Sequence, residues 1–477
     1  MIIFSAPEYQ PDGSIRRAAY AFTGSTDDGW EISREGRPHL RLGRGYRLLQ
    51  VSHCGVCATD LARRQLPFPL PQVTGHEVVA VEESGAPVVV EINASHAARG
   101  LRERGWCPYC TRDLDTHCPE RLVLGIHDLP GGFGPRLLVP VGAVVPVPPA
   151  IDAPTATLVE PFAAALHAVE SLAPGDGERV AVLGPRRLGA LVVAALAAWR
   201  ARSGRRYSIL AVARRPEMRA LACALGADEA IDAAAAGGDL AEVVIDTTGS
   251  PDGLGLAVAL ATRDVHVKST TGLPALGLAH PTALVVDELT LVPWGRDCVP
   301  RPGLASPPAH VAALLGDVPA DVREDLRRRG LSVVAGDDAA ALAEGLVHDP
   351  GVPLAAADLA LVTSLAGIDA AIRPRAGVEQ GLVRARGTIG VVDVGQPRKG
   401  LLGALLDKRL RVTASRCGDL RAAVRFLADP AGDLGRTLGE RLVTDRLPAL
   451  RLAEAFEAAA SPRSVKVVVT HPGGLVG

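Results

Sequence analysis

From residue 179 onward the chain repeats one unit, a short apolar strand followed by an apolar-faced helix, and that rhythm admits few architectures. It runs Val180-Ala181-Val182-Leu183-Gly184, a helical stretch over 188–202, Ser208-Ile209-Leu210-Ala211-Val212-Ala213, a helix around 216–225, then Glu242-Val243-Val244-Ile245-Asp246. Strands separated by helices cannot pair as hairpins. They pair in parallel with helices on both faces, which predicts a doubly wound α/β sheet. The first 160 residues read differently. Runs such as Arg47-Leu48-Leu49-Gln50-Val51-Ser52, Val78-Val79-Ala80-Val81 and Pro87-Val88-Val89-Val90-Glu91, punctuated by Gly and Pro, predict a β-rich domain. At 477 residues the chain exceeds one hydrophobic core, so two or more domains are expected, and 48% hydrophobic residues can fill them.

Residues 243–272 and 359–395 share a layout of strand, helix and strand, the second strands being Val265-His266-Val267-Lys268 and Thr388-Ile389-Gly390-Val391-Val392. Either this unit has been partly duplicated, or two such units of one sheet simply look alike. Between them, 273–357 holds a Pro-rich segment at 299–308 and a helical pattern at 319–329, and reads as an insertion.

With 51 Lys+Arg against 53 Asp+Glu and a formal charge of -2, the chain has no basic tail or stripe of the kind nucleic acid requires. A small-molecule substrate fits better. Only Lys268, Lys399, Lys408 and Lys466 are lysine. The N-terminus, Met1-Ile2-Ile3-Phe4-Ser5-Ala6-Pro7-Glu8, has neither a basic head nor a sustained apolar core, so no secretory signal is expected. The apolar stretch 188–199 falls short of the roughly 20 residues that span a bilayer. A soluble cytoplasmic protein without membrane association is expected. Five of the eight cysteines cluster as Cys54/Cys57 and Cys107/Cys110/Cys118, a spacing that in a reducing compartment argues for metal. Cys223, Cys298 and Cys417 are isolated and expected to be ordinary thiols.

The chemistry-bearing residues stand in Cys54-Gly55-Val56-Cys57-Ala58-Thr59-Asp60, in Gly75-His76-Glu77 and in Leu158-Val159-Glu160-Pro161. Cys57, His76, Glu77 and Glu160 offer sulfur, nitrogen and oxygen donors for one catalytic zinc that keeps a position open for substrate. A thiolate, an imidazole and a carboxylate leave such a centre near neutral and a strong Lewis acid for an alcohol or carbonyl oxygen. Thr59 is placed to hydrogen-bond that oxygen and pass its proton outward, and Asp60 to orient the ligand shell. Taken alone, Gly75-His76-Glu77 could instead be a turn with a solvated pair.

With these motifs ahead of a nucleotide-type βα domain, the chain resembles the zinc-dependent medium-chain dehydrogenase/reductase superfamily over most of 40–272 and again over about 385–470. Within it the polyol and glucose dehydrogenases are nearest, because Val159-Glu160-Pro161 followed by His167 stands where alcohol dehydrogenases use a cysteine. The resemblance implies a GroES-like catalytic domain over 1–160, completed by 440–477, and a Rossmann-type doubly wound parallel sheet over 161–439 with an insertion at about 273–385. It implies Cys57 and His76 as inner ligands, Glu77 as a ligand or alternating ligand, and Glu160 binding directly or through water. It also implies reversible hydride transfer between a secondary alcohol, polyol or sugar and NADP(H) or NAD(H), in a homodimer or homotetramer. Two departures stand out. Family members often carry a histidine five residues after the zinc cysteine, where this chain has Ala62, so water, Arg63 or another group must complete the proton relay. The family's structural zinc lobe has four cysteines, whereas Cys107, Cys110 and Cys118 are three and the expected first one falls on Arg104. A zinc there needs Glu103, His96, Asp115 or His117 as fourth ligand; the other outcome is a metal-free lobe packed by Trp106 and Tyr109.

The cofactor station, Gly184-Pro185-Arg186-Arg187-Leu188-Gly189, keeps the first and last glycines of a dinucleotide fingerprint and has Arg186 at the middle one. Arg186 either clamps a phosphate or blocks its approach. Ala213 replaces the acid that binds a ribose 2′-hydroxyl, and Arg214 and Arg215 supply charge for a 2′-phosphate, which favours NADP over NAD. Both arginines could instead be solvated helix-start residues. In Asp246-Thr247-Thr248-Gly249-Ser250, Thr248 is placed to contact cofactor, or the loop is a plain turn capped by Ser250. The same departures fit a second reading, a zinc-binding protein of this fold that has lost cofactor binding and serves as a binding module or a non-redox enzyme.

Overall fold

The computed structural model describes all residues except 67, 101–104, 270–271, 296–309, 374–380, 431 and 473–477. The Pro-rich segment 299–308, Glu103, Arg104 and Cys298 therefore lie outside the described residues. The chain divides into two compact units, Met1–Ala164 with Cys417–Gly477, and Ala165–Arg416.

The first unit is β-rich. β1 (Ile2–Tyr9), β2 (Ile15–Ser25), β3 (Gly29–Arg34) and β4 (Arg37–Leu42) form an antiparallel sheet in that order. Alternation along β2 turns Ala18, Tyr20 and Phe22 into the core. A second sheet takes β5 (Tyr46–Gly55), β6 (Glu77–Val81) and β7 (Pro87–Val90), and, beyond the short pair β8 (Asn93–Ala94) and β9 (Leu122–Val123), β10 (Arg136–Pro140) and β11 (Val144–Pro146). Two strands from the C-terminal segment, Val443–Pro448 and Lys466–Thr470, complete it, with Lys466–Thr470 hydrogen-bonded to β5. This pairing matters for the site. β5 ends two residues before Cys57, β6 begins just after His76, and Gly55 lies opposite Glu77.

Among the described residues the second unit holds eleven strands in one sheet. In chain order they are β12 (Arg179–Leu183), β13 (Ser208–Val212), β14 (Glu229–Ile231), β15 (Ala241–Asp246), β16 (Ala261–Val267), β17 (Thr290–Pro293), β18 (Val311–Leu315), β19 (Ser332–Gly336), β20 (Ala357–Val362), β21 (Val383–Val391) and β22 (Arg411–Ala414). The spatial order is β14-β13-β12-β15-β16-β22-β17-β21-β20-β18-β19. Every pairing is parallel except β17 with β22. This is the doubly wound sheet that the strand-helix rhythm implies. The helix Arg187–Ser203 follows β12 and stops at Gly204, whose φ of 69° gives the left-handed cap that a side chain would resist. The 273–385 stretch supplies β17, β18, β19 and β20 to the sheet itself, and Leu291, Val311, Ala313, Ala360 and Val362 from these strands join its main core. No helix among the described residues is long and apolar enough to cross a membrane.

Candidate metal centres and nucleotide-binding turn

Cys57 sits immediately before the short helix Ala58–Leu61 in extended backbone, which leaves its N–H for the side chain of Asp60. That N–H donates to Asp60 Oδ2 at 2.9 Å, and Gly75 N donates to Asp60 Oδ1 at 3.2 Å. The same Oδ1 lies 3.9 Å from His76 Nδ1. One buried carboxylate thus spans the two motifs. Gly75 allows this because its φ is +95° and a Cβ there would meet Cys54 Sγ at 2.8 Å and Phe133 at 3.0 Å. Burial alone would lower the pKa of His76, but the charge and hydrogen bond of Cys57, then Asp60 and Glu160, raise it to about 10. Cys57 Sγ also lies 3.7 Å from Thr59 Oγ1.

Glu160 stands in the first turn of the helix Val159–Leu172. Desolvation pushes its pKa up to about 7, opposed by His76 and reinforced by Glu77 and Glu91. Glu77 is held elsewhere: Lys466 Nζ donates to its Oε1 at 2.7 Å and its Oε2 at 2.5 Å, with both side chains buried. Gly55 makes room for this carboxylate, since a Cβ there would come within 2.1 Å of Glu77 Oε2. Lys466 was missed by sequence reasoning, although one of only four lysines inside the apolar run Val465-Lys466-Val467-Val468-Val469 was a signal. Arg63 is buried, with Nη2 donating to Pro69 O at 3.0 Å and Ile126 O at 2.5 Å. A guanidinium cannot accept a proton, so Arg63 does not replace the missing histidine of the relay.

A second cluster is tighter. His96, Cys107, Cys110 and Cys118 place one ligand atom each within 4.8 Å of one another. Among the described residues no other grouping of three or more His, Cys, Asp or Glu does so, and the Cys57, His76, Glu77 and Glu160 atoms stand in a wider arrangement. His96 Nδ1 is 3.6 Å from Cys118 Sγ, while its Nε2 is 3.1 Å from Glu120 Oε2. A carboxylate on the far nitrogen fixes the imidazole so that Nδ1 points into the cluster. Cys107 and Cys118 sulfurs are 3.7 Å apart. Burial would raise the Cys107 thiol, but hydrogen bonds from the Cys110 backbone, His96, Cys110 and Cys118 bring it down to about 7. Of the fourth ligands weighed from sequence, His96 is the one in the cluster; Asp115 and His117 lie in the adjacent 3-10 turn but outside it.

In the second unit the turn after β12 is tight. Gly184 has φ +75°, and Gly189 lies where a Cβ would be 2.4 Å from both Gly184 O and Thr247 Oγ1, so the two glycines set how closely the following helix approaches the strand. Arg186 sits at the N-cap of that 17-residue helix. Its pKa is lowered to about 10, first by burial and then by the charges of Arg187 and Arg215. Arg186 and Arg187 thus stand at a helix N-terminus, the place where backbone N–H groups favour an anion, and Arg215 begins the next helix. Arg214 is exposed, and Arg215 caps the helix Pro216–Ala224. Thr248 is engaged locally, its N and Oγ1 both donating to Asp246 Oδ1 at 2.9 and 2.7 Å, and Ser250 caps the next helix by accepting from Gly253 N at 3.1 Å. His167, which follows Val159-Glu160-Pro161 on the same helix, has Nε2 3.3 Å from the buried Glu288.

Comparison with known proteins adds to this geometry. Residues 43–149 match the model of the alcohol dehydrogenase GroES-like domain. The chain is 31% identical to L-galactonate-5-dehydrogenase of Escherichia coli over 46% of its own length and 66% of that protein. It is 30% identical to L-threonine 3-dehydrogenase of Rhizobium rhizogenes over 52% of its own length and 74% of that protein. Among solved structures, L-idonate 5-dehydrogenase of Escherichia coli shares the fold at a TM-score of 0.51 and 15% identity, covering 98% of this chain and 99% of that one.

Proposed function

The chain belongs to the zinc-dependent medium-chain dehydrogenase/reductase superfamily and is an oxidoreductase of its alcohol and polyol dehydrogenase kind, and from this we propose the roles of its residues. The observation that carries the reading is the Asp60 carboxylate, which ties Cys57 N and Gly75 N together and faces His76 Nδ1. Cys57, His76 and Glu160 hold the catalytic zinc; Glu77 can join them only by leaving Lys466. Bound there, zinc supplies Lewis-acid polarisation of the substrate oxygen. Thr59, next to Cys57 in space, accepts the hydroxyl proton and hands it to water, because neither Ala62 nor Arg63 can. Asp60 is a positioning residue that fixes the sulfur and the imidazole.

The nicotinamide cofactor supplies the hydride acceptor, and Gly184, Arg186, Gly189, Arg214, Arg215 and Thr248 bind it. Arg214 and Arg215 supply positive charge at the end of β13 and Ala213 leaves out the acid that would repel a 2′-phosphate, so NADP(H) is preferred to NAD(H). His96, Cys107, Cys110 and Cys118 hold a second, structural zinc through three sulfurs and one nitrogen. The substrate is a secondary alcohol, polyol or sugar, and the protein works in the cytoplasm.

Metal analysis together with calorimetric titration by NADPH and NADH tests this. Two zincs per chain, saturable NADPH binding that weakens in Arg214→Ala/Arg215→Ala, and nicotinamide reduction with a panel of polyols are expected. Failure of the zinc-loaded protein to bind either nucleotide would replace this reading with that of a binding module.

A further inference from the structure

The sheet of the second unit contains the same construction twice. After β12, Gly184 has φ +75°, accepts from Arg186 N at 2.7 Å and donates to O of Val212, the last residue of β13, at 3.1 Å. After β18, Gly316 has φ +80°, accepts from Val318 N at 2.8 Å and donates to O of Gly336, the last residue of β19, at 3.1 Å. After β15, Ser250 caps a helix through Gly253 N at 3.1 Å; after β20, Ser364 caps one through Gly367 N at 3.0 Å. Two residues before β17 stands Glu288 and two before β22 stands Arg409, both with φ of 52°, a value that neither residue type adopts readily. Registers repeat as well. Val265 pairs with Val412 and Ile389 with Leu291, while Leu291 and Val412 pair with each other in the antiparallel step between the halves. A local two-fold therefore passes through Leu291 and Val412.

The last strands are exchanged across it. β17 follows β16 in the chain but pairs with β21, and β22 follows β21 but pairs with β16. Charges enforce the exchange. Arg411 meets Asp264 at 2.9 Å and Lys408 meets Asp239 at 3.0 Å, fastening β22 to the first half. Arg373 meets Asp287 at 2.8 Å and Arg386 meets Glu288 at 2.7 Å, fastening the residues before β17 to the second. Either half alone would end in a strand whose residues, such as Leu291 and Val412, are now core. A strand edge of that kind demands a partner. In the complete sheet the outer edges are the three-residue β14 and the five-residue β19.

The second half has lost the phosphate station. Gly316 is followed by Asp317-Val318-Pro319-Ala320-Asp321, so Val318 and Pro319 stand where the first half has Arg186 and Arg187, Pro319 has no N–H to offer, and Asp317 and Asp321 add negative charge at the start of the following helix, where a phosphate would be repelled. We infer that the second half is a nucleotide-silent copy of the first that takes the place of a partner subunit within the chain. The protein is then a monomer with one nucleotide site, instead of the homodimer or homotetramer that family resemblance implies. The stoichiometry rests on the nucleotide-binding reading above; the monomer does not.

Sedimentation velocity and light scattering on the full chain, from micromolar to the highest soluble concentration, should give one species of 49.5 kDa. A species of twice that mass overturns the inference. Calorimetric titration with NADPH should give one site per chain, abolished by Arg186→Ala/Arg215→Ala, and two sites would overturn the silent second half. No binding at all would refute the nucleotide reading of the first half, while the measured mass still decides whether the second half replaces a partner.

Discussion

Replacing Lys466 with Met removes the ammonium that holds both oxygens of the Glu77 carboxylate, which is 1% exposed, and the geometry sets the cost. Both Glu77 oxygens accept from one ammonium at 2.7 and 2.5 Å, so Lys466→Met leaves a buried carboxylate without its counter-charge. Breaking a buried pair from one side costs about 3–5 kcal/mol, most of it the penalty of the charge left behind. For a unit of this size each kcal/mol moves the melting temperature by roughly 2–4 °C, so a fall of about 6–20 °C is expected. Removing the charge as well, in Glu77→Gln/Lys466→Met, should recover half or more of that loss, since the second substitution eliminates what the first exposed. Urea or thermal unfolding of the four proteins of this cycle, followed by tryptophan fluorescence, measures it. If Lys466→Met costs less than about 1 kcal/mol, or if the double variant is as unstable as the sum of the singles, Glu77 is not held as a paired buried charge. Zinc content of the same samples separates the roles of Glu77: Glu77→Gln should keep zinc if Cys57, His76 and Glu160 suffice.

Three further outcomes are expected. His96→Ala should lower bound zinc from two to one per chain and expose the lobe to thiol reagents, whereas His96→Cys should restore two; an unchanged metal count in His96→Ala would contradict the assignment. His471 is buried against Gly132 O at 3.0 Å, and burial lowers its pKa to about 4, so it is neutral in the fold where the unfolded chain would be protonated. Its contribution is intact above about pH 6.5 and is lost as pH falls toward 4, by up to about 3 kcal/mol; His471→Gln should flatten that part of the stability profile, and an unaltered acid limb would refute the point. Gly189→Val should destabilise the second unit and abolish nucleotide binding, because its side chain would overlap Gly184 O; unaltered NADPH affinity would show that the helix can retreat without consequence.

Much of the site was readable before any coordinates because its parts are local. Cys57 to Asp60 and Gly75 to Glu77 are contiguous motifs whose donor chemistry points to a metal wherever the chain carries them. The strand-helix rhythm after residue 179 likewise dictates a parallel sheet, since only that arrangement buries both periodicities. Three things were not local. Lys466 meets Glu77 across 389 residues, joined by a C-terminal strand that pairs with β5. His96 stands eleven residues before Cys107, at no standard ligand spacing, and only the folded loop brings its Nδ1 to Cys118. The likeness between 243–272 and 359–395 admitted both a duplication and a coincidence, because two βα units share a pattern whether or not they share an environment.

What the residues settled by themselves is the chemistry on offer and the kinds of element that carry it, for both are fixed by side-chain type and by periods of two and 3.6 residues. What folding alone decided is partnership: Glu77 with Lys466, His96 with three sulfurs, β17 with β21 and β22 with β16. Pairing across hundreds of residues depends on which buried charge finds its opposite and which apolar edge finds cover. Those are properties of the packed structure, and no run of sequence contains them.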